Sequence, residues 1–264
     1  MTRRWSLIAA IVGLAVALTF VIIDIGSGTD SGRKKNAAAA GAARPTPRTA
    51  LYGVGWWPAH ETSGRVAADA AGRHDATLIG GANFIGGTPG GGAILLDGNT
   101  GSVDTGGQII DTATGDYSVA ARVRMDNKGF RSAVSLDGDK ASAFFLQYSG
   151  TDKRFAFSFA NARAVADTAG DPELGRWYHL TGTYTQADST LRIYVNGVAS
   201  GSVQAKNPER PTGHLVIGRA KFNNRPVDFW SGAISDVHAY DRALSPGEIV
   251  SLAAHEPKRG QAVS

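Results

Sequence analysis

Cysteine is absent from the 264 residues, so the chain has no disulfide, no thiolate metal ligand and no thiol nucleophile. That absence does not assign it to the cytosol, because a large β domain outlives export on its hydrophobic core alone. Glutamate is nearly as scarce, with only Glu61, Glu173, Glu209, Glu248 and Glu256, and none of these forms a close pair on one strand. No Gly-x-Ser-x-Gly elbow occurs, and His60, His74, His179, His214, His238 and His255 are scattered without metal-ligand spacing. The run Gly86-Gly-Thr-Pro-Gly-Gly-Gly92 lacks the Lys-Ser/Thr and the following helix of a phosphate loop, and reads as plain loop.

A basic face is missing as well. The whole chain carries a formal charge of +4, but residues 51–256 hold 18 Lys and Arg against 21 Asp and Glu, a net of −3. The surplus lies in Arg3, Arg4, Arg33, Lys34, Lys35, Arg44, Arg48, Lys258 and Arg259, outside that stretch. Nucleic-acid binding thereby loses its main source of affinity, and no nucleic-acid partner is expected.

What is present begins with one long apolar run. Trp5 to Ile25 has Asp24 as its only charge and would span about 31 Å as a helix, close to the hydrocarbon thickness of a bilayer. We read residues 1–25 as a transmembrane signal anchor, with a cleaved secretory signal as the alternative, since the nearest small-residue cleavage candidates lie as far on as Ala37 to Ala43. Arg3 and Arg4 are balanced by Arg33, Lys34 and Lys35, so positive charge alone does not set the orientation. Residues 26–50 are Gly, Ser, Ala, Pro, Lys and Arg with almost no large apolar side chain, which predicts a disordered tether with a reach of roughly 25–30 Å. Residues 257–264 read as a disordered tail.

From Leu51 onward the pattern is that of strands. Ala93 to Leu96, Tyr117 to Arg124, Ala143 to Tyr148, Phe155 to Phe159 and Trp177 to Tyr184 are short apolar or alternating runs between Gly, Asp and Asn turns. Asn196-Gly197 is the dipeptide that a two-residue hairpin turn demands, because both central positions need positive φ. Ser245-Pro-Gly-Glu248 places Ser at a cap, Pro at the first helical position and Glu at the third, which predicts a short helix to about Ala254.

Four ordered motifs carry a resemblance over roughly Leu51 to Glu256: Trp177-Tyr-His-Leu-Thr-Gly-Thr-Tyr184, Leu191-Arg-Ile-Tyr-Val-Asn-Gly197, Leu215-Val-Ile-Gly-Arg219, and Phe229-Trp-Ser-Gly-Ala-Ile-Ser-Asp-Val-His-Ala-Tyr-Asp-Arg-Ala-Leu-Ser245. In that order they resemble the laminin G-like, concanavalin A-like jelly-roll family. The resemblance implies an all-β domain over 51–256, a two-sheet antiparallel jelly-roll sandwich, with Trp56 and Trp57 in an opening core strand. It also implies export, with the domain outside the cytoplasm.

Function follows less directly, since one fold hosts many roles. The fold also includes laminarinases and lichenases, which resemble one another in a Glu-x-Asp-x-x-Glu strand that this chain lacks, so no enzyme activity is expected. The resemblance implies a structural calcium site with Asp236 of Ser235-Asp-Val-His-Ala-Tyr240 as one ligand and Asp97 as its partner; ordinary solvated carboxylates are the alternative. His179 is expected to be a buried imidazole held by hydrogen bonds. Tyr148, Phe130, Phe222 and Trp230 are candidate sugar-stacking rings, with Trp230 also read as core. Phe222, Asn223, Asn224 and Arg225 are the candidate ligand-binding loop, rings to stack and polar groups to hold hydroxyls. The expected function is a non-catalytic extracellular recognition module for a glycan or cell-surface protein. A protein-only adhesion or scaffold domain and a divergent glycoside hydrolase are the rivals.

Overall fold

A computed structural model of the chain describes residues 53–255, apart from 87, 89, 90, 207 and 208. The expected anchor, tether and tail lie outside the described residues. In chain order the strands are β1 (Gly55–Trp57), β2 (Val66–Ala67), β3 (Ala76–Ile79), β4 (Asn83–Gly86), β5 (Gly92–Asp97) and β6 (Ser102–Asp104). There follow β7 (Tyr117–Met125), β8 (Arg131–Gly138), β9 (Ser142–Ser149), β10 (Arg154–Ser158), β11 (Arg163–Val165) and β12 (Trp177–Thr185). Last come β13 (Thr190–Val195), β14 (Val198–Gln204), β15 (Pro211–Ile217), β16 (Ala220–Phe222), β17 (Arg225–Val227), β18 (Ser231–Tyr240) and the helix α1 (Pro246–Ala254).

Two sheets form the expected antiparallel sandwich. The first runs β14-β13-β12-β7-β18-β5-β4, with β1 also paired to β18, and the second runs β11-β10-β9-β8-β15-β6-β3-β2. Side-chain alternation decides what lies between them. Val119, Ala121, Val123 and Met125 of β7 and Ile234, Val237 and Ala239 of β18 meet Phe144, Leu146 and Tyr148 of β9 and Phe155 and Phe157 of β10 in one continuous core. Tyr117 is the hub of its aromatic part, 5.5 Å between centroids from both Phe144 and Tyr184. Trp57 and Trp230 are fully buried in the same core.

Local signals behave as their chemistry requires. Asn196 (φ 52°) and Gly197 (φ 81°) make the two-residue turn joining β13 to β14. At the start of α1 the Ser245 hydroxyl accepts from the Glu248 N–H while the Glu248 carboxylate accepts from the Ser245 N–H, a complete capping box. The helix lays Ile249 and Leu252 against Tyr194, Tyr240, Leu244 and Ala120 on the outer side of the first sheet. Among the described residues no helix is long and apolar enough to cross a membrane.

The layers pack closely where Gly182 of β12 meets Phe157. A Cβ at Gly182 would lie 2.3 Å from the Phe157 ring, so the core shape depends on a missing methyl group. Gly182→Ala should lower unfolding free energy by about 1–3 kcal/mol through overpacking. Urea unfolding followed by tryptophan fluorescence measures it, and an unchanged midpoint would contradict the packing described.

Candidate functional site

β9 sets the position of the site. Its sequence Ser-Ala-Phe-Phe-Leu-Gln-Tyr-Ser is buried at every residue. Phe144, Leu146 and Tyr148 point into the sandwich core, which turns Phe145, Gln147 and Ser149 to the outer side of the second sheet. After β15 the chain folds back over this outer side as the hairpin β16–β17, and Ala220 and Val227 pack on Phe145 and Ala141. Several hydrogen bonds fix the hairpin: Lys221 N–H to Ser142 Oγ (2.9 Å), Lys221 Nζ to Gly138 O (2.8 Å), Asn224 N–H to Lys140 O (2.9 Å) and Ser135 Oγ to Arg219 O (2.9 Å).

Beside the hairpin opens a cleft of about 310 Å³. Phe145 and Phe159 are its buried apolar lining, and Phe130 and Phe222 line it with rings that are 40% and 46% exposed. Gln147, Arg163 and Asp228 bring polar groups to it. The Arg163 guanidinium lies over the Phe130 ring at 5.9 Å and donates from Nη1 to Asp152 Oδ2 at 2.8 Å. Asp152 is held below the usual carboxylate range, chiefly by the Ser149 hydroxyl and also by Arg163. Asp228 goes the other way: burial pushes its carboxyl up, against the pull of Arg131 and Arg163.

The expected ligand loop coincides with the cleft only in part. Phe222 and Phe130 do line the cleft. Asn223 (φ 49°) and Asn224 (φ 61°) instead occupy the two central positions of the β16–β17 turn, where Asn tolerates the left-handed region, and neither lines the cleft. Arg225 is exposed on β17 and also lies outside the lining. Tyr148 and Trp230 are core residues, 1% and 0% exposed, not stacking platforms. Sequence reasoning missed Phe145, Gln147, Phe159, Arg163 and Asp228. The signal available was the adjacent pair Phe144-Phe145, since a strand apolar on both faces must be covered on both.

A second polar group lies on the outer side of the first sheet. Asp236 (φ 50°) sits at the irregularity where β18 slips against β7, between Ser235 and His238. Its Oδ1 accepts from Trp56 Nε1 (2.8 Å) and contacts His238 Nε2 (2.9 Å), while Oδ2 lies 3.5 Å from Arg122 Nε. Burial alone would raise this carboxyl, but His238, the Trp56 hydrogen bond and Arg122 together hold it well below the usual carboxylate range. Trp56 stacks on His238, and His238 on Tyr240, with centroids 5.5 and 5.9 Å apart. Arg122 also donates from Nη2 to the Ala253 and His255 carbonyls at the end of α1.

The structure does not bring Asp97 and Asp236 together. Asp97 pairs across β5–β18 with Ser231, five residues before Asp236, which is roughly 16 Å along a strand. Asp97 is exposed, and its Oδ1 takes the N–H groups of Asn99 (2.9 Å), Thr100 (2.9 Å) and Gly101 (2.8 Å). Burial raises this carboxyl, but those donors with the Thr100 hydroxyl together carry it well below its ordinary value. Among the described residues no group of three or more His, Asp or Glu has the arrangement to hold a metal ion. His179 is buried as expected, but neither ring nitrogen has a hydrogen-bond partner.

Comparison with known proteins places the sandwich. The Laminin_G_3 family model, described as the concanavalin A-like lectin/glucanases superfamily, matches residues 97–250. Sushi, von Willebrand factor type A, EGF and pentraxin domain-containing protein 1 of Rattus norvegicus is 27% identical over 141 residues, covering 50% of this chain and 4% of that protein. Neuronal pentraxin-1 of Homo sapiens is 29% identical over 93 residues, covering 32% of this chain and 21% of that protein. The chain thus spans a small part of the length of these curated relatives. Among solved structures, domain 4 of AbnA, a GH43 extracellular arabinanase from Geobacillus stearothermophilus in complex with arabinotriose, has a TM-score of 0.57 at 18% identity, covering 76% of this chain and 97% of that one. Trypanosoma rangeli sialidase in complex with 2,3-difluorosialic acid has a TM-score of 0.56 at 23% identity, covering 83% of this chain and 34% of that one. At these identities the likeness shows the fold alone.

The unpartnered imidazole has a consequence for acid stability. Burial, with Arg122 adding to it, pushes the His179 ring down to about 3 from its ordinary 6.5. Below 6.5 the unfolded chain takes up a proton that the folded chain refuses, so the folded state is favoured in full above that pH and loses ground as pH falls toward 3. The loss is at most about 1.4 kcal/mol per pH unit. His179→Leu should remove this part of the slope, so thermal melts at stepped pH should give a wild-type midpoint that drops faster than the variant's from 6.5 downward. Parallel curves would contradict the burial of a neutral ring.

Proposed function

Because the chain belongs to the concanavalin A-like lectin/glucanase superfamily, we propose that it is a non-catalytic recognition module that binds carbohydrate in the cleft lined by Phe130 and Phe222. The observation that carries this reading is the pair of half-exposed rings on a cleft that also presents the buried Phe145 and Phe159. Sugars present C–H faces that pack on aromatic rings and hydroxyl edges that need polar partners, and the cleft offers both kinds of group. The arabinanase domain solved with arabinotriose supports a saccharide over a protein partner, since that domain shares the fold over nearly its whole length. Of the exposed apolar side chains elsewhere, Val66 and Ile79 share the outward face of the paired strands β2 and β3, and neither belongs to the cleft lining.

The non-catalytic reading rests on the carboxylates. Asp228 is the acidic residue in the cleft lining, whereas retaining or inverting hydrolysis needs two carboxyl groups roughly 5–9.5 Å apart across the bond. We place the domain outside the cytoplasm, carried by the apolar segment Trp5 to Ile25, where its ligand would be a glycan of the cell envelope or surroundings.

The test is a glycan array probed with the full-length chain in detergent. Wild type should retain a subset of oligosaccharides, and Phe222→Ala and Phe130→Ala should each weaken that binding about three- to tenfold, in line with the worth of one aromatic packing contact. Retention unchanged in both variants would move the site elsewhere. Release of reducing ends from any retained polysaccharide would overturn the non-catalytic assignment.

A further inference from the structure

The cleft holds two polar side chains that the protein itself leaves incompletely used. Asp228 follows β17 with φ 55°, a conformation that strains a residue bearing a Cβ. Its backbone carbonyl is committed, accepting from Ser132 N–H at 2.7 Å. Its carboxylate accepts no hydrogen bond from any described residue, although it is half-buried. Opposite in sign, Arg163 gives Nη1 to Asp152, but Nε is buried without an acceptor and Nη2 donates to nothing among the described residues. The side chain is 35% exposed, so part of the guanidinium is reachable from the cleft.

Leaving the Asp228 carboxylate without a protein donor and the Arg163 Nε–H buried without an acceptor costs free energy, and a buried unsatisfied group in a folded protein calls for an explanation. The two do not satisfy one another, as no ion pair joins them. Asp228 needs donors, and Arg163 needs an acceptor. The apolar lining excludes a fully hydrated ion as the partner of both. A ligand that meets all three demands carries hydroxyl donors, oxygen acceptors and a C–H face on one small body.

Charge narrows the class. The ionic groups around Asp228 are Arg131 and Arg163 on one side of the balance and Asp152 with Asp228 itself on the other, which cancel. Arg131 Nη1 is turned to the backbone, donating to the Phe229 carbonyl at 2.7 Å and to the Gly98 carbonyl at 3.3 Å, while its Nε is buried without an acceptor. No uncompensated positive charge remains for a sialic or uronic acid, and Asp228 would repel its carboxylate at close range. An ammonium would suit Asp228 but would face Arg163. The cleft, at about 310 Å³, has room for one sugar ring with its substituents.

We propose that the cleft recognises one ring of a neutral saccharide, with Asp228 accepting from its hydroxyls, Arg163 Nη2 donating to a ring or hydroxyl oxygen, and Phe130 and Phe222 packing on its carbon face. This deepens the recognition reading above and rests on it. Burial that raises the Asp228 carboxyl in the free protein accords with a group whose donors arrive with the ligand.

Isothermal titration of the full-length chain in detergent tests it, with neutral trisaccharides of arabinose, xylose, glucose, galactose and mannose as probes, sialyllactose as the anionic probe and a glucosamine trimer as the cationic one. At least one neutral trisaccharide should bind with at most millimolar dissociation constant, and neither charged probe should bind more tightly. Asp228→Asn and Arg163→Lys should each weaken the neutral trisaccharide tenfold or more, while thermal melts report whether either variant remains folded. Asn keeps the size and one acceptor oxygen but loses the charge, so an unfolded Arg163→Lys would leave Asp228→Asn as the deciding variant. Loss of affinity in Phe222→Ala without any in Asp228→Asn and Arg163→Lys would overturn the assignment of the two polar residues and leave the cleft reading intact. Tighter binding of sialyllactose would overturn the charge argument alone. No binding of any saccharide would overturn both.

Discussion

A strand whose side chains are buried on both of its faces has to be covered on both, and β9 imposes that requirement on this sandwich. Its core-facing side chains are met by the first sheet, as in any two-layer β domain. Its outward side chains are met by the hairpin β16–β17, which has no partner sheet and exists as structure because Ala220 and Val227 find Phe145 to pack on. The hairpin is too small to be stable alone, since two short strands seldom bury enough apolar surface. Its hydrogen bonds to Ser142, Gly138, Lys140 and Ser135 show what holds it: the edge of the strand pair beneath. The cleft is a by-product of this arrangement, formed where the cover stops short of the whole outer face.

The first sheet solves the same problem differently. Part of its outer side is covered by α1 through Ile249 and Leu252, and beyond the helix a row of polar side chains is buried in place of apolar ones. Asp236 organises that row. With Trp56, His238 and Arg122 converging on it, the carboxylate ties the first strand of the domain to the last and, through Arg122, to the end of α1. Removing one member of a buried ionic group leaves the others uncompensated, at about 3–5 kcal/mol, so the cluster enforces the docking of β1 and the helix more than it adds to net stability. Both hydrogen-bonding partners of the Asp236 carboxylate, Trp56 and His238, meet Oδ1, whereas Oδ2 faces only the Arg122 charge at 3.5 Å.

Much of the sandwich was legible in the sequence because its signals are local. Alternation in Tyr117 to Arg124 and Trp177 to Tyr184, the Asn196-Gly197 turn and the Ser245 to Glu248 capping box each depend on a few neighbouring residues, and each appears where expected. The site was legible only in part because it depends on register and cover. Phe222-Asn-Asn-Arg225 reads as a polar loop until one knows that Phe222 and Arg225 pair across a hairpin, which makes the asparagines turn residues. Tyr148 looks available until its place in the alternation of β9 turns it inward. Asp228 carries no sequence signature at all: one carboxylate between Val227 and Phe229 acquires meaning only when burial, a strained φ and the lack of a donor coincide.

The same construction bears on how the cleft can bind. Its buried lining comes from β9 and from Phe159, which also packs on Tyr184 at 5.2 Å between centroids, so that side is part of the rigid body of the domain. The hairpin brings Phe222, and it is held by the Lys221 and Asn224 backbone N–H groups and the Lys221 ammonium, which bond to β8, β9 and the turn between them. Arg163 is held at Nη1 by Asp152 and lies over Phe130, which restricts both side chains before any ligand arrives. Little ordering is left to be done on association, and ordering of side chains and loops is a principal loss that weak small-ligand complexes must overcome. A cleft of this size offers few contacts, so affinity there depends on that loss being small. The cover that β9 demands is thus also what gives a shallow site on an open sheet face its fixed shape.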